Sequence, residues 1–187
     1  MKFLTLTYYL FLIIAMQIIA PLNITAQQYS EIELKAAYLY NFTLFVKWPV
    51  NSTNNSEYFT IGIYKDYDMF LILTEMLKGK KTMNKPIKVI EIKNIENTKK
   101  TNLIYFGKNV TQNELNEILE YISNKPILTV ANKIEDFCEN GGIINFRPPY
   151  FKKRFEINNE KALSLGLKIS SKLLVLSKII NPNENKF

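Results

Sequence analysis

Short apolar runs rich in β-branched residues, set between stretches of helical pattern, constrain this chain more than any other feature. YFTIGIY (58–64), IKVIEI (87–92), NLIYF (102–106), PILTV (126–130) and GGIINF (141–146) are each strand-length and too apolar for surface loops. Helix signals fall between them. Ser30 and Glu33 form a capping box that opens a helix through residue 46, stopped by Trp48-Pro49. Residues 68–78 read as a helix with Gly79 just past its end. Thr111 and Glu114 form a second capping box, opening a helix to residue 122. Strands alternating with helices imply parallel βαβ units. Residues 150–157 pair back on 143–146 across Pro148-Pro149, and Asn158 or Asn159 caps a helix running to about residue 180 with Gly166 inside it. The expected fold is α/β: a three-layer sandwich, a mostly parallel sheet of about five strands with an antiparallel edge hairpin, flanked by helices.

The first residues read differently. Lys2, the apolar run LFLIIAMQIIA (10–20) and Ile24-Thr25-Ala26 before Gln27 make a secretory signal peptide over residues 1–26. Thr5, Thr7 and Gln17 interrupt the apolar stretch and no basic cluster follows it, which argues against a lasting membrane anchor. Residues 27–187 remain as one domain, long enough to bury roughly two thirds of the unfolded chain's surface without a disulfide.

Composition removes most chemistry. The chain of 187 residues has no histidine and one cysteine, Cys138. Ser-His-Asp and Cys-His catalysis, HExxH zinc sites and a CxxC redox pair are therefore excluded. Neither a GxGxxG fingerprint nor a Walker A loop follows a strand, so no nucleotide cofactor is expected. Asp66 and Asp68 fit turn and N-cap chemistry better than a metal site. Glu135, Asp136 and Glu139 have no second carboxylate cluster to work with and read as a solvated turn. The net charge of +7 comes from scattered lysines, and nucleic acid is not an expected partner of an exported chain.

Two of the six glycines, Gly141 and Gly142, stand together in FCENGGIINF (137–146). A phosphate-cradling loop would run into a helix N-terminus, whereas this one runs into a strand. The pair reads as a structural turn, with φ > 0 open to glycine. Cys138 reads as a small buried apolar residue.

What stands out is surface. In AAYLYNFTLFVKW (36–48) only Asn41, Thr43 and Lys47 are polar, so apolar groups surround most of the helix. One sheet face cannot cover them all. The alternatives are a helix wholly inside the core, or one with a face on another chain. Tyr38, Tyr40, Phe42, Phe45 and Trp48 are types that interfaces favour, with Asn41 able to set register. The second surface is YFKKRFE (150–156), where Lys152, Lys153 and Arg154 lie between aromatics on an expected sheet edge. They read either as edge protection or as an electrostatic dock for an acidic partner.

ELKAAYLYNFTLFVKWP (33–49), YFTIGIY, PILTV, GGIINF and RFEINNEKALSLGLKISSKLL (154–174), in that order, resemble the YfiR family of exported bacterial proteins over residues 31–178. The resemblance implies an α/β fold and a periplasmic, non-catalytic regulator that tends to dimerise. It implies a membrane sensor as partner, a diguanylate cyclase whose periplasmic part is bound and whose output, cyclic di-GMP and with it biofilm formation, is repressed. Relatives working with histidine kinases, and a soluble small-ligand-binding protein, are the alternatives. Some members carry several cysteines linked to redox control, and this chain keeps only Cys138, which excludes an intramolecular disulfide switch. Which surface serves a homodimer and which the partner is open.

Overall fold

The computed structural model describes residues 30–50 and 56–182. The proposed signal peptide lies outside the described residues. Helix α1 (Glu31–Phe45) opens with the expected capping box: Glu33 N donates to Ser30 Oγ, and Ser30 N to the Glu33 carboxylate. It stops at Phe45 rather than at residue 46. Val46 and Lys47 are already extended, as strand β1 (Val46–Lys47).

Strand β2 (Phe59–Tyr64) leads into α2 (Tyr67–Met76), whose N-cap is Asp66: one carboxylate oxygen accepts from Met69 N and the other from the Tyr105 hydroxyl. A small hairpin, β3 (Lys81–Thr82) and β4 (Lys85–Glu91), follows, then a 3-10 turn (Ile95–Lys100) and β5 (Leu103–Phe106). Helix α3 (Gln112–Tyr121) carries the second capping box, with Glu114 N on Thr111 Oγ1. Then come β6 (Leu128–Ala131), β7 (Ile144–Phe146) and β8 (Phe155–Ile157).

The single C-terminal helix expected from the sequence is not present. The segment breaks into α4 (Asn159–Ser164), β9 (Lys168–Ile169), α5 (Ser171–Val175) and β10 (Ser177–Ile179). Gly166 stands at φ 75° and ends α4, as a glycine past a helix end does. Its neighbours then find partners that a helix would deny them. Residues 168–169 pair antiparallel with β1, and residues 177–179 pair parallel with β8.

The main sheet has eight strands in the order β10-β8-β7-β6-β5-β2-β4-β3. Its centre, β4-β2-β5-β6-β7, is parallel and doubly wound, with the chain reversing direction across the sheet at β2. Pairs β7–β8 and β3–β4 are antiparallel at the two sides. Strand alternation divides the core in two. Phe59, Ile61, Ile63, Leu103, Tyr105 and Val130 face α1 and α2, which contribute Leu39, Phe42, Met69 and Leu73. Ile104, Phe106 and Ala131 face α3, which contributes Leu115 and Ile118. The three-layer α/β sandwich follows from this division. Strand β8 is covered by β10, so it is not the sheet edge that the sequence implied.

An ion-pair cluster ties the start of α1 to the loop after β6. Lys35 Nζ donates to Glu31 Oε1 (2.6 Å) and Asn132 Oδ1 (2.8 Å), and Lys133 Nζ reaches the same Glu31 oxygen (2.6 Å). Hydrogen bonds from Lys133 and Lys35 hold the Glu31 carboxyl at about 2. Burial pushes the Lys35 ammonium down despite its pairing. The desolvation cost falls on Lys35, whose side chain is 9% exposed against 53% for Glu31.

The glycine pair resolves into two different needs. Gly141 has φ 95° and nothing within 4 Å of where a Cβ would sit. Gly142 needs room instead, since a Cβ there would lie 2.2 Å from the Phe137 ring. Gly141→Ala should therefore cost about 1–2 kcal/mol through backbone conformation alone. Gly142→Ala should cost about 1–3 kcal/mol and displace the Phe137 ring, which urea unfolding and ring NMR shifts would register. Glu31 gives a second expectation. Its folded pKa lies below its unfolded one, so its contribution is complete above the ordinary carboxylate range and is lost as pH falls from about 4.5 to about 2. Glu31→Gln should flatten the melting temperature against pH in that window, and a mutant curve parallel to wild type would refute the assignment.

Candidate interaction surface

The N-terminal helix meets the sheet through a cluster of rings. Tyr38 and Phe42, one turn apart, lie edge-on to Phe155 of β8 at 4.9 Å and 5.3 Å between ring centres. Phe146 of β7 packs against Phe155 at 5.6 Å and against Phe42 at 6.0 Å. Edge-to-face contacts at these distances add to the area buried. The same turn of helix carries the next residues outward. Leu34, Tyr38, Asn41 and Phe45 recur at four, three and four residues and so share one side of α1. Leu34 is 48% exposed and Phe45 37%.

Alongside this stripe lies α5, held in place by the β1–β9 pairing and by Ser170 N donating to Phe45 O (2.9 Å). The two helices leave an apolar slot of about 120 Å³ between them. Tyr38 and Phe45 form one wall, Leu173 and Leu176 the other, and Phe42 and Phe155 the floor, with Asn41 and Lys172 as its polar lining residues. Leu176 is 53% exposed and Val175 beside it 68%.

The basic residues join the same region from behind. Lys152, Lys153 and Arg154 are exposed in the turn that precedes β8, not on the strand itself. Lys153 Nζ donates to Val175 O, and Arg154 N donates to Leu176 O (3.2 Å). Arg154 Nη1 donates to Pro149 O (2.6 Å).

The residues singled out from the sequence therefore separate. Tyr38, Asn41 and Phe45 line the slot, and Phe42 is its buried floor. Tyr40 is half-buried against the core. Trp48 is buried: its Nε1 donates to Asn102 O (3.2 Å) and its ring stands edge-on to Phe59, so no surface contact is open to it. Gly141 and Gly142 serve the turn before β7. The sequence pattern does not point to Lys172, Leu173 and Leu176, which also line the slot, because residues 159–180 read as one helix. Gly166, a residue suited to end a helix, is the local signal of the break; Ser170 stands at the N-cap of α5 but its side chain makes no capping hydrogen bond.

Cys138 is buried, with Sγ 3.6 Å from Ile143 O. Burial, reinforced by the charges of Glu156 and Glu139, pushes its thiol well up, away from the reactive thiolate. Among the described residues no group of three or more His, Cys, Asp or Glu could hold a metal ion, and no helix is long and apolar enough to cross a membrane.

The carboxyl ends of the strands, where open α/β sheets bind ligands, hold two polar crevices. One, of about 560 Å³, lies by Tyr64, Lys93, Glu96, Glu114 and Glu117. The other, of about 340 Å³, lies by Lys133, Glu139, Arg147, Glu156 and Lys178, and one Glu139 carboxylate oxygen is buried without a hydrogen-bond partner. Where the sheet order reverses, between β2 and β5, the exits are closed: Gly107 N donates to Tyr64 O (2.9 Å), and a Cβ on Gly107 would lie 2.3 Å from Lys65 O.

Residues 32–178 match the protein family described as YfiR/HmsC-like. No curated protein matches the chain.

The slot divides floor from wall, and that division is measurable. Phe42→Ala should cost about 3–5 kcal/mol in urea unfolding, as a buried ring does. Phe45→Ser should stay within about 1 kcal/mol of wild type. Equal losses at both positions would mean that the wall is core.

Proposed function

This chain belongs to the YfiR/HmsC-like family, and on that premise we propose that it binds the periplasmic part of a membrane sensor of the diguanylate cyclase type and holds its output off. The family is a periplasmic, non-catalytic regulatory one. The observation that carries the reading is the half-exposed apolar slot between α1 and α5, with Lys172 among its lining residues and Lys153 and Arg154 next to it. Such a surface suits a protein that acts by covering another, since apolar anchors with a polar surround are what interfaces use. Repression requires only that the chain bind the inactive sensor more tightly than the active one. A preference of about 100-fold moves an evenly balanced sensor to about 99% inactive. Export through the signal peptide over residues 1–26 supplies the compartment. A histidine kinase sensor would meet the same surface by the same physics. Self-association fits the other exposed apolar groups on the helical layer, among them Tyr67 and Leu71 of α2.

A small-ligand reading has one observation in its favour, the unpartnered Glu139 oxygen in the crevice beside Arg147 and Lys178. It calls for a ligand with a hydrogen-bond donor or a cationic group. A ligand that binds the native chain raises its melting temperature progressively, roughly with the logarithm of concentration above Kd, so a thermal-shift series of small amines and amino acids tests it.

Deleting the gene in its native organism should raise cyclic di-GMP, and the intact chain supplied in trans should restore it. A purified chain should retain the periplasmic domain of a membrane sensor. Unchanged cyclic di-GMP together with no sensor recovered from solubilised membranes would remove the proposal.

A further inference from the structure

Two features far apart in sequence, the aromatic stripe of α1 and the basic turn before β8, form one continuous surface in the fold. The join is α5. Leu176 closes the slot against Phe45 on one side, and on the other its carbonyl accepts from Arg154 N. Val175 O, one residue earlier, accepts from the Lys153 ammonium. Lys172 lines the slot itself.

The charged side chains at this surface are basic: Lys172 lines the slot, and Lys152, Lys153 and Arg154 stand exposed in the turn bound to α5. Residues 147–178 as a whole carry eight Lys and Arg side chains against two carboxylates, Glu156 and Glu160, although Lys161 turns toward α3 and Arg147 and Lys178 toward the crevice beside Glu139. Glu156 is engaged by Arg147 and Lys178, each at 3.6 Å. The apolar slot is small, with room for one leucine- or phenylalanine-sized side chain rather than for a helix face.

That imbalance selects the occupant. A second copy docking here about a two-fold axis would bring the basic side chains Lys153, Arg154 and Lys172 of both copies into one interface with no carboxylate among the slot's lining residues, because an isologous contact uses one patch twice. Like charges facing each other across an interface are a strong penalty. An acidic surface suffers no such penalty and gains encounter rate from the field.

We propose that the slot between α1 and α5, with the basic turn behind it, receives an acidic, apolar segment of the partner protein. One bulky side chain seats between Tyr38, Phe45 and Leu176, and neighbouring carboxylates meet Lys153, Arg154 and Lys172. This rests on the regulatory reading above and assigns that reading its partner chemistry. It also separates the two roles left open by the sequence: the partner takes the α1–α5 face, and any homodimer forms elsewhere.

The test uses the full-length exported chain and short labelled synthetic peptides in fluorescence anisotropy. The reference peptide has one Leu-Phe pair flanked by Asp and Glu. The second replaces Leu-Phe with Ala-Ala, and the third replaces the acids with Lys. The reference should bind, weaken as salt rises, and exceed each of the others by about tenfold or more. Phe45→Ser and Lys172→Glu should each lower its affinity about tenfold, while Tyr67→Ser, on exposed α2, leaves it unchanged. Circular dichroism confirms that each variant folds. No binding by the reference peptide, or equal binding by the Lys peptide, overturns the proposal. So does a dimer in light scattering that Phe45→Ser dissociates, since the slot then belongs to a second copy. Failure of the regulatory reading looks different. There the acidic peptide binds as expected, yet deleting the gene changes no sensor's output.

Discussion

The packing of Tyr38 and Phe42 on Phe155 holds the proposed interaction face in place. Phe155 lies on β8, an antiparallel addition to a parallel sheet, and α1 crosses that part of the sheet rather than only its centre. The contact fixes the rotation of α1. With Leu39 and Phe42 directed at the core, Leu34 and Phe45 must lie on the outward side, and the slot beside α5 follows. A helix apolar nearly all round has no preferred rotation of its own. Its orientation comes from the rings beneath it.

The C-terminal segment completes the face by giving up helix. Its residues favour helix locally, but Gly166 stops α4 and β1 offers a pairing partner to Lys168 and Ile169. That pairing carries α5 to the flank of α1, and β10 then closes over β8. The same return explains why the basic turn is not an exposed sheet edge. Lys153 and Arg154 spend hydrogen bonds on the carbonyls of Val175 and Leu176, which bind the turn to α5 and leave its charge facing solvent.

Negative findings about chemistry have structural counterparts. Asp66 is committed to capping α2 and to the Tyr105 hydroxyl, Gly142 makes room for a ring, and Cys138 is buried against backbone. Asp66, Gly142 and Cys138 are thus engaged in holding the fold. The polar crevices at the carboxyl ends of the strands persist, but the point where the sheet order reverses is shut by Gly107 against Lys65.

Local signals in the sequence determined the parts. Capping boxes at Ser30 and Thr111, β-branched runs for β2, β4, β5 and β6, and the alternation that implies parallel βαβ units act within a few residues of themselves, so they could be read without partners. The absence of histidine ruled out whole classes of chemistry before any fold was known. Tertiary structure alone decided which side of α1 faces outward, that Trp48 is core, that residues 168–169 pair with β1 and 177–179 with β8, and that the aromatic stripe meets the basic turn. Those outcomes depend on ring contacts and strand pairings between residues far apart in the chain. Such contacts outweigh helix propensity worth only tenths of a kcal/mol per residue.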